Sequence, residues 1–155
     1  MKTVIEIDEL FAVVERIWPE VFTPVIGQEQ VDYMLKNYQS PANIAEEINQ
    51  GAHYYLLDFE GRHVGYTAFE ENEGEIYLSK IYLDQSVRGQ GLASELFAWY
   101  DQKARGKKLR LNVNQGNRRA IEVYEHRGFH RVGERYAEIG EGFVMNDFIY
   151  EKNCR

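Results

Sequence analysis

The segment SVRGQGLA, residues 86–93, lies between two stretches of different character. Before it, EIYLSKIYL (75–83) is rich in the apolar and aromatic residues that favour a β-strand, and after it residues 92–104 repeat apolar side chains at helical spacing. Backbone N–H groups in such a strand-to-helix turn point into one concavity, where the helix N-terminus adds partial positive charge. Gly89 and Gly91 allow the backbone to approach a ligand closely. The segment therefore predicts an anion site suited to a diphosphate; the alternative is a tight turn that binds nothing.

Two other phosphate-binding patterns fit this stretch poorly. A dinucleotide fingerprint needs a third glycine where the chain has Ser94, and an acidic ribose ligand about 20 residues further on, where the chain has KKLRLNVN. A Walker-type loop needs a lysine and a hydroxyl residue directly after its last glycine, and neither follows here. The sequence therefore disfavours a Rossmann fold and a P-loop.

Composition limits the class of protein. A chain of 155 residues has the length of one domain, and we expect a single domain over residues 1–155. The formal charge of −7 argues against nucleic-acid binding, since phosphate recognition needs a basic face. The only cysteine, Cys154, has no partner for an intramolecular disulfide, and no apolar stretch approaches the roughly 18 residues of a membrane span. We therefore expect a cytoplasmic protein with no signal peptide and no membrane contact.

Apolar periodicity and turn residues divide the chain into helices followed by strands and helices. The predicted elements are a strand TVIEI (3–7), a helix from Asp8 that ends at TPVIG (23–27), helices over 28–38 and 41–49, a three-stranded meander over 53–83, a helix over 91–104, a strand over 107–114, a helix over 117–127, and strands over 129–139 and 143–152. Asp8 and Ser40 are the expected N-caps of the first and third helices.

Two blocks identify a family resemblance. KIYLDQSVRGQGLASELF (80–97), followed after a strand by LNVNQGNRRAIEVYEHRGF (111–129), strongly resembles the GNAT superfamily of acyl-CoA-dependent N-acetyltransferases. The resemblance implies an α/β (α+β) fold with a central mixed, mostly antiparallel twisted sheet of six or seven strands flanked by helices. It also implies acetyl-CoA as co-substrate.

The resemblance further implies which residues hold the cofactor. Residues 86–91 align with the pyrophosphate loop of the family. The expected cofactor-binding residues are Ile81, Tyr82 and Leu83, through main-chain hydrogen bonds to the pantetheine arm; Arg88, Gly89, Gly91, Leu92 and Ala93, as backbone amide donors; and Asn117 of the second block. Asn117 is also a candidate helix N-cap, and the two roles are compatible.

Tyr124 matches the tyrosine that the family is considered to use as general acid. A tyrosine pKa near 10 lies a little above the value of about 8.5 for a thiol, so proton transfer to a departing thiolate is only mildly uphill. The alternative is a core tyrosine that fills the helix face. The resemblance places the oxyanion donor at a backbone N–H near Ile81. By strand alternation, Ser79 is expected to face the same side as Tyr77 and Ile81 and to position water or substrate.

The general base is the least determined residue. Some relatives carry a glutamate where this chain has Asn112, which does not accept a proton at neutral pH. We expect Glu75, at the start of its strand, to act as base through water; Glu73 and Asp147 are alternative carboxylates. Glu75 is otherwise a solvated charge at a strand end.

The expected acceptor is a small-molecule or peptide amine. The aromatic N-terminal half and residues 139–152 resemble, more loosely, the bacterial Pai-type polyamine acetyltransferases, which makes a polyamine one candidate. No metal is expected, because the four histidines have no metal-site spacing. The sequence leaves open whether the chain is a monomer or a homodimer, and whether it is an enzyme or a catalytically weak acyl-CoA-binding or sensing module. Retention of Tyr124 favours the enzyme.

Overall fold

The computed structural model describes residues 2–3 and 6–154. Within these residues the elements are, in chain order, β1 (Lys2–Thr3), α1 (Ile7–Ile26), α2 (Gln28–Asn37), α3 (Pro41–Asn49), β2 (His53–Phe59), β3 (Arg62–Asn72), β4 (Glu75–Leu83), a 3₁₀ turn (Gln85–Val87), α4 (Leu92–Lys103), β5 (Lys108–Asn114), α5 (Arg118–His126), β6 (His130–Gly140) and β7 (Phe143–Asn153). Residues 4 and 5 of the predicted first strand lie outside the described part of the chain.

All these strands form one sheet, in the order β1-β2-β3-β4-β5-β7-β6. Only β4 and β5 pair in parallel among the described strands, and the other neighbours are antiparallel. The expected mixed, mostly antiparallel sheet flanked by helices is therefore confirmed.

The N-terminal region differs from the prediction in two places. Helix α1 begins at Ile7, so Asp8 lies in its first turn, and the expectation that Asp8 is the N-cap is wrong. The helix continues through Pro19 and Pro24 to Ile26, so the predicted break within residues 23–27 is present but lies at Gly27, its last residue, and not at Thr23 or Pro24. Burial of the apolar face of α1 in the core explains this continuation, because packing outweighs local helix propensity. The expected Ser40 cap is confirmed: its Oγ accepts the Asn43 N–H at 3.3 Å.

The sheet separates two apolar clusters. One cluster joins α1, α2 and α3 to side chains of β2 and β3, with Tyr82 of β4 packed against it. The other joins α4 and α5 to side chains of β3, β4 and β5. The sheet is therefore covered on both faces, and the space between its two middle strands lies between these layers.

Strands β4 and β5 separate after a short stretch of pairing. Their parallel pairing joins Glu75–Tyr77 to Lys108–Arg110 and goes no further. On the other side of β4, the partners change from Phe69↔Leu78 to Ala68↔Lys80, so Ser79 is the extra residue of a β-bulge.

The bulge changes which side chains share a face. Tyr77 and Ser79 line the same cavity as Lys80 and Tyr82, whereas Ile81 packs against the opposite cluster. The expectation that Ile81 faces the same side as Tyr77 and Ser79 is therefore wrong, because one inserted residue shifts the alternation along the rest of the strand.

Candidate active site between two diverging strands

Two cavities meet where β4 and β5 diverge. The loop cavity, of about 370 Å³, lies between α1, the end of β4, the loop before α4, and α5. The sheet cavity, of about 220 Å³, lies on the side of α1 and α3, among β3, β4, β5, β6 and β7. The predicted site residues that line the loop cavity are Ile81, Tyr82, Leu83, Arg88, Ala93, Asn117 and Tyr124. Of these, Tyr82, Asn117 and Tyr124 also line the sheet cavity, so they stand at the junction.

The glycine loop has the geometry of an anion site. Gly89 and Gly91 both have φ +79°, and a Cβ at either position would meet nothing within 4 Å. In the described part of the chain, no hydrogen bond engages the N–H groups of Gly89, Gly91, Leu92 or Ala93. These free N–H groups at a helix N-terminus fit a diphosphate, which carries negative oxygens and accepts hydrogen bonds.

Two predicted loop residues are placed differently. The Arg88 N–H donates to the Gln85 carbonyl at 3.2 Å, so this N–H is not available to a ligand. Arg88 nevertheless lines the loop cavity. Leu92 lines a separate cavity, together with residues of β2, β3 and α4, so its side chain is not part of the loop cavity and only its unbonded N–H remains as a candidate contact.

Asp84 fixes the start of this loop. Its carboxylate accepts the Ser86 N–H at 2.9 Å and an Arg16 N–H at 2.6 Å. The Ser86 hydrogen bond is the main cause that holds the pKa of Asp84 below its ordinary value. Sequence analysis missed both Asp84 and Arg16. An aspartate two residues before a turn N–H was a usable signal, whereas Arg16 comes from a distant helix and has none.

The end of β4 offers main-chain groups to the gap. The Asp84 N–H donates to the Val64 carbonyl of β3 at 2.7 Å. Because main-chain polar groups alternate in direction along a strand, those of Ile81 and Leu83 point away from β3, to the side where β5 has diverged. An extended ligand with amide groups fits beside them as an added strand.

Asn117 caps α5 and also faces both cavities. Its side-chain oxygen accepts the Ala120 N–H at 3.3 Å. Since the residue lines the loop and sheet cavities as well, capping does not remove it from the site.

Tyr124 combines a buried ring with an unpaired hydroxyl. The side chain is 8% exposed, and its ring centroid lies 6.0 Å from Phe97 and 5.8 Å from Phe129. Its hydroxyl makes no hydrogen bond to any residue that the structure describes. Burial raises the pKa of Tyr124 above its ordinary value, so the hydroxyl keeps its proton at neutral pH. The ring is therefore part of the core, as the alternative interpretation held, while the hydroxyl is left for a ligand.

The carboxylates of the region lie in different places. Glu75 forms ion pairs with Arg110 at 3.5 Å and Lys108 at 3.9 Å, and the structure does not bring it into the lining of either cavity. Glu73 lies exposed in the turn before β4, also outside both linings. Asp147 of β7, 4% exposed, lines the sheet cavity. Burial raises the pKa of Asp147 above its ordinary value.

Comparison with known proteins agrees with this geometry. Residues 22–145 match the model of the acetyltransferase (GNAT) domain family. The chain belongs to the GNAT family of acetyltransferases. An uncharacterized N-acetyltransferase of Mycobacterium tuberculosis is 30% identical over 147 residues, which are 92% of this chain and 94% of that protein. The spermine/spermidine N(1)-acetyltransferase of Bacillus subtilis is 25% identical over 124 residues, 70% of this chain and 78% of that one.

A solved structure shows the same fold. The PaiA N-acetyltransferase of Thermoplasma acidophilum, crystallised in complex with coenzyme A, superposes with a TM-score of 0.76 at 17% identity, covering 95% of this chain and 92% of the other. As a GNAT protein, this chain is an acetyl-CoA-dependent N-acetyltransferase, and acetyl-CoA is its co-substrate.

Two further observations concern the described residues alone. Among them, no three histidine, cysteine, aspartate or glutamate side chains are grouped closely enough to hold a metal ion. None of the helices in residues 6–154 combines the length and apolar character needed to cross a membrane.

Proposed function

We propose that this GNAT protein acetylates a primary amine by direct attack of the amine on acetyl-CoA within a ternary complex, with Tyr124 as general acid. The observation that carries the proposal is the Tyr124 hydroxyl: its ring is packed in the core, while the hydroxyl is protonated, makes no hydrogen bond to the described residues, and belongs to a residue that lines both cavities. The hydroxyl is therefore free to donate its proton to a ligand atom at the junction.

The loop cavity suits the acetyl donor. The unpaired N–H groups of Gly89, Gly91, Leu92 and Ala93 bind the diphosphate in this proposal, and the main chain of residues 81–83 binds the pantetheine arm. Bound in this way, the coenzyme runs from the glycine loop along the end of β4 to Tyr124. The thioester would then lie where the two cavities meet, and the sheet cavity would receive the amine.

The chemistry needs a neutral nucleophile, a donor to the developing oxyanion, and a proton for the leaving thiolate. A main-chain N–H near Ile81 is the proposed oxyanion donor, because the groups of that strand end face the gap. Tyr124 gives its proton to the thiolate sulfur. Burial raises the pKa of Tyr124, but the same low polarity raises that of the thiol, so the transfer stays close to balanced.

Polyamines are the acceptors to test first. The Bacillus subtilis relative is named for spermine and spermidine, and the sheet cavity carries the carboxylates of Glu47, Glu70 and Asp147 against two cationic side chains, Lys80 and Arg135. A cationic amine is favoured by such a lining. Amino acids, aminosugars and peptide amines are the remaining acceptor classes.

The deciding experiment incubates the protein with acetyl-CoA and a panel of amines drawn from these classes, and measures release of free thiol. Thiol release that depends on one amine class, with the acetylated amine identified by mass spectrometry, supports the proposal. Binding of acetyl-CoA without acetylation of any amine refutes it and supports the acyl-CoA-binding module.

A further inference from the structure

Three buried acceptor atoms of the sheet cavity have no hydrogen-bond donor. They are Gln39 Oε1, Asn112 Oδ1 and Asp147 Oδ1, and their three residues line the cavity from the segment after α2, from β5 and from β7. Asn112 uses its amide N–H to donate to the Tyr77 hydroxyl at 3.2 Å, so only its oxygen remains unpaired. Buried acceptors left without donors are costly, and a cluster of them at one cavity indicates a ligand that brings donors.

Among the described residues that line this cavity, a fourth buried unpaired atom, Trp18 Nε1, is a donor, but it interacts with the Tyr66 hydroxyl in the core. The other three unpaired atoms are acceptors, which restricts the ligand. A primary ammonium group has three N–H donors and a positive charge, and no acceptor. A carboxylate ligand or a phosphate would bring more acceptors to the same place. The sheet cavity therefore suits an amine that arrives as its ammonium ion.

The charged groups around Asp147 leave one of its carboxylate oxygens free to bind such a cation. Arg135, its cross-strand neighbour on β6, lies 3.8 Å from Oδ2 and does not engage Oδ1. From β4, Tyr77 and Tyr82 face it as neutral phenols, both with raised pKa. Elsewhere in the cavity, Lys80 is held by Glu47 at 3.1 Å, and the carboxylate of Glu70 is exposed. No ion pair in the described residues thus occupies Asp147 Oδ1.

We propose that Asp147, rather than Glu75, receives the acceptor amine as its ammonium ion and acts as the general base. The inference rests on the proposed function and assigns its missing base. Asn112 and Gln39 then orient the nitrogen through their unpaired oxygens.

The proton balance is complete with these groups. Asp147 takes one proton from the ammonium and releases it to solvent, which leaves a neutral amine. The amine nitrogen forms a bond to the acetyl carbon, and the carbon–sulfur bond breaks as Tyr124 gives its proton to sulfur. The nitrogen then loses its second surplus proton, which restores the Tyr124 hydroxyl. The ammonium has lost two protons: one is on the thiol of CoA and one is in solvent.

The test compares Asp147→Asn with Glu75→Gln as a matched control. Both substitutions replace a carboxylate by its amide, one inside the cavity lining and one outside it. With spermidine, or with whichever amine the panel selects, Asp147→Asn is expected to lower kcat/KM by about 100-fold or more, the usual scale for a general base. Glu75→Gln is expected to change it less than threefold. Both variants are expected to retain the increase in Tm that acetyl-CoA gives to the wild type.

A second acceptor separates proton removal from simple binding. Hydroxylamine is mostly neutral at neutral pH and needs no base to become a nucleophile. Asp147→Asn is therefore expected to lose much less activity with hydroxylamine than with an ammonium substrate. An equal loss with both acceptors would contradict the base role.

Should Asp147→Asn fail to fold, the wild-type pH profile gives the answer. With Asp147 as base, kcat/KM for the ammonium substrate reaches a plateau well below the pKa of the amine, because the ionisation of Asp147 sets the acid limb. A rate that instead rises in proportion to the neutral amine, up to the amine's own pKa, overturns the proposal. Full activity in Asp147→Asn, or a large loss in Glu75→Gln, overturns it also. A wild type that binds acetyl-CoA but acetylates no amine overturns the proposed function and this inference together.

Discussion

Substitution of Tyr124 by phenylalanine tests the proposed general acid most directly. The change removes one hydroxyl and keeps the ring that packs on Phe97 and Phe129. Because that hydroxyl makes no hydrogen bond to the described residues, none of the roughly 1 kcal/mol typical of an intramolecular bond is lost. We therefore expect the free energy of unfolding to change by less than about 0.5 kcal/mol, and acetyl-CoA binding to persist.

The catalytic effect of the same substitution is expected to be large. Loss of a positioned general acid lowers the rate by about 100-fold or more, which corresponds to about 2.7 kcal/mol in the activation barrier. The loss is expected in kcat rather than in KM for acetyl-CoA, since the proton is needed in the transition state. Thiol release in a single turnover measures the chemical step without interference from slow product release.

Tyr150→Phe is the matched control. The Tyr150 hydroxyl donates to Glu125 at 2.8 Å, and the residue lies outside the linings of both cavities. Its removal is expected to cost about 1 kcal/mol of stability and to leave kcat unchanged. An unchanged single-turnover rate in Tyr124→Phe, with its stability preserved, would refute the acid role and reduce Tyr124 to a packing residue.

Two further predictions concern the loop. Acetyl-CoA at a hundredfold excess over its Kd stabilises a protein by about 2.7 kcal/mol, and Gly89→Val is expected to abolish the resulting increase in Tm, because its side chain would fill the open space at φ +79°. Gly106→Val is the control: at φ +81°, beyond the C-terminal end of α4, it introduces the same backbone strain and is expected to keep the increase in Tm that acetyl-CoA gives. Loss of that increase in both variants would contradict the phosphate assignment. Asp84→Asn is expected to cost about 1 to 3 kcal/mol at neutral pH, as measured by urea unfolding. Since the folded-state pKa of Asp84 lies below its ordinary value, its stabilising effect is present above that value and is lost as pH falls through the folded pKa; a difference from wild type that persists at lower pH would refute this account.

Sequence reasoning succeeded where structure is determined locally. The loop after β4 needs two residues with positive φ next to a helix start, and glycines at 89 and 91 meet that need without help from distant parts of the chain. The Ser40 cap is equally local. The same reasoning failed at Pro24, where the chain continues as a helix because contacts across the core stabilise it.

The bulge at Ser79 had no signal in the sequence. Strand alternation assumes an unbroken register, and a bulge becomes visible only when the partner strand is known. Its effect reaches the site, because it places Tyr82 on the side of the sheet cavity and Ile81 on the opposite side.

Asp147, the proposed base, is distant in sequence from the position where the family resemblance suggests a carboxylate, although it is close to that position in the sheet. Asn112 of β5 pairs with Ile149 of β7, and Asn114 pairs with Asp147. Asp147 is thus the diagonal cross-strand neighbour of Asn112, at a Cα separation of about 7 to 8 Å, within reach of the same cavity. Some relatives carry a glutamate at the position of Asn112. In this chain the proposed base, Asp147, lies 35 positions after Asn112 in the sequence, on the neighbouring strand of the sheet. A glutamate on β5 and an aspartate on β7 can therefore put a negative charge into the same space, and in the proposal Asp147 takes the role of that glutamate.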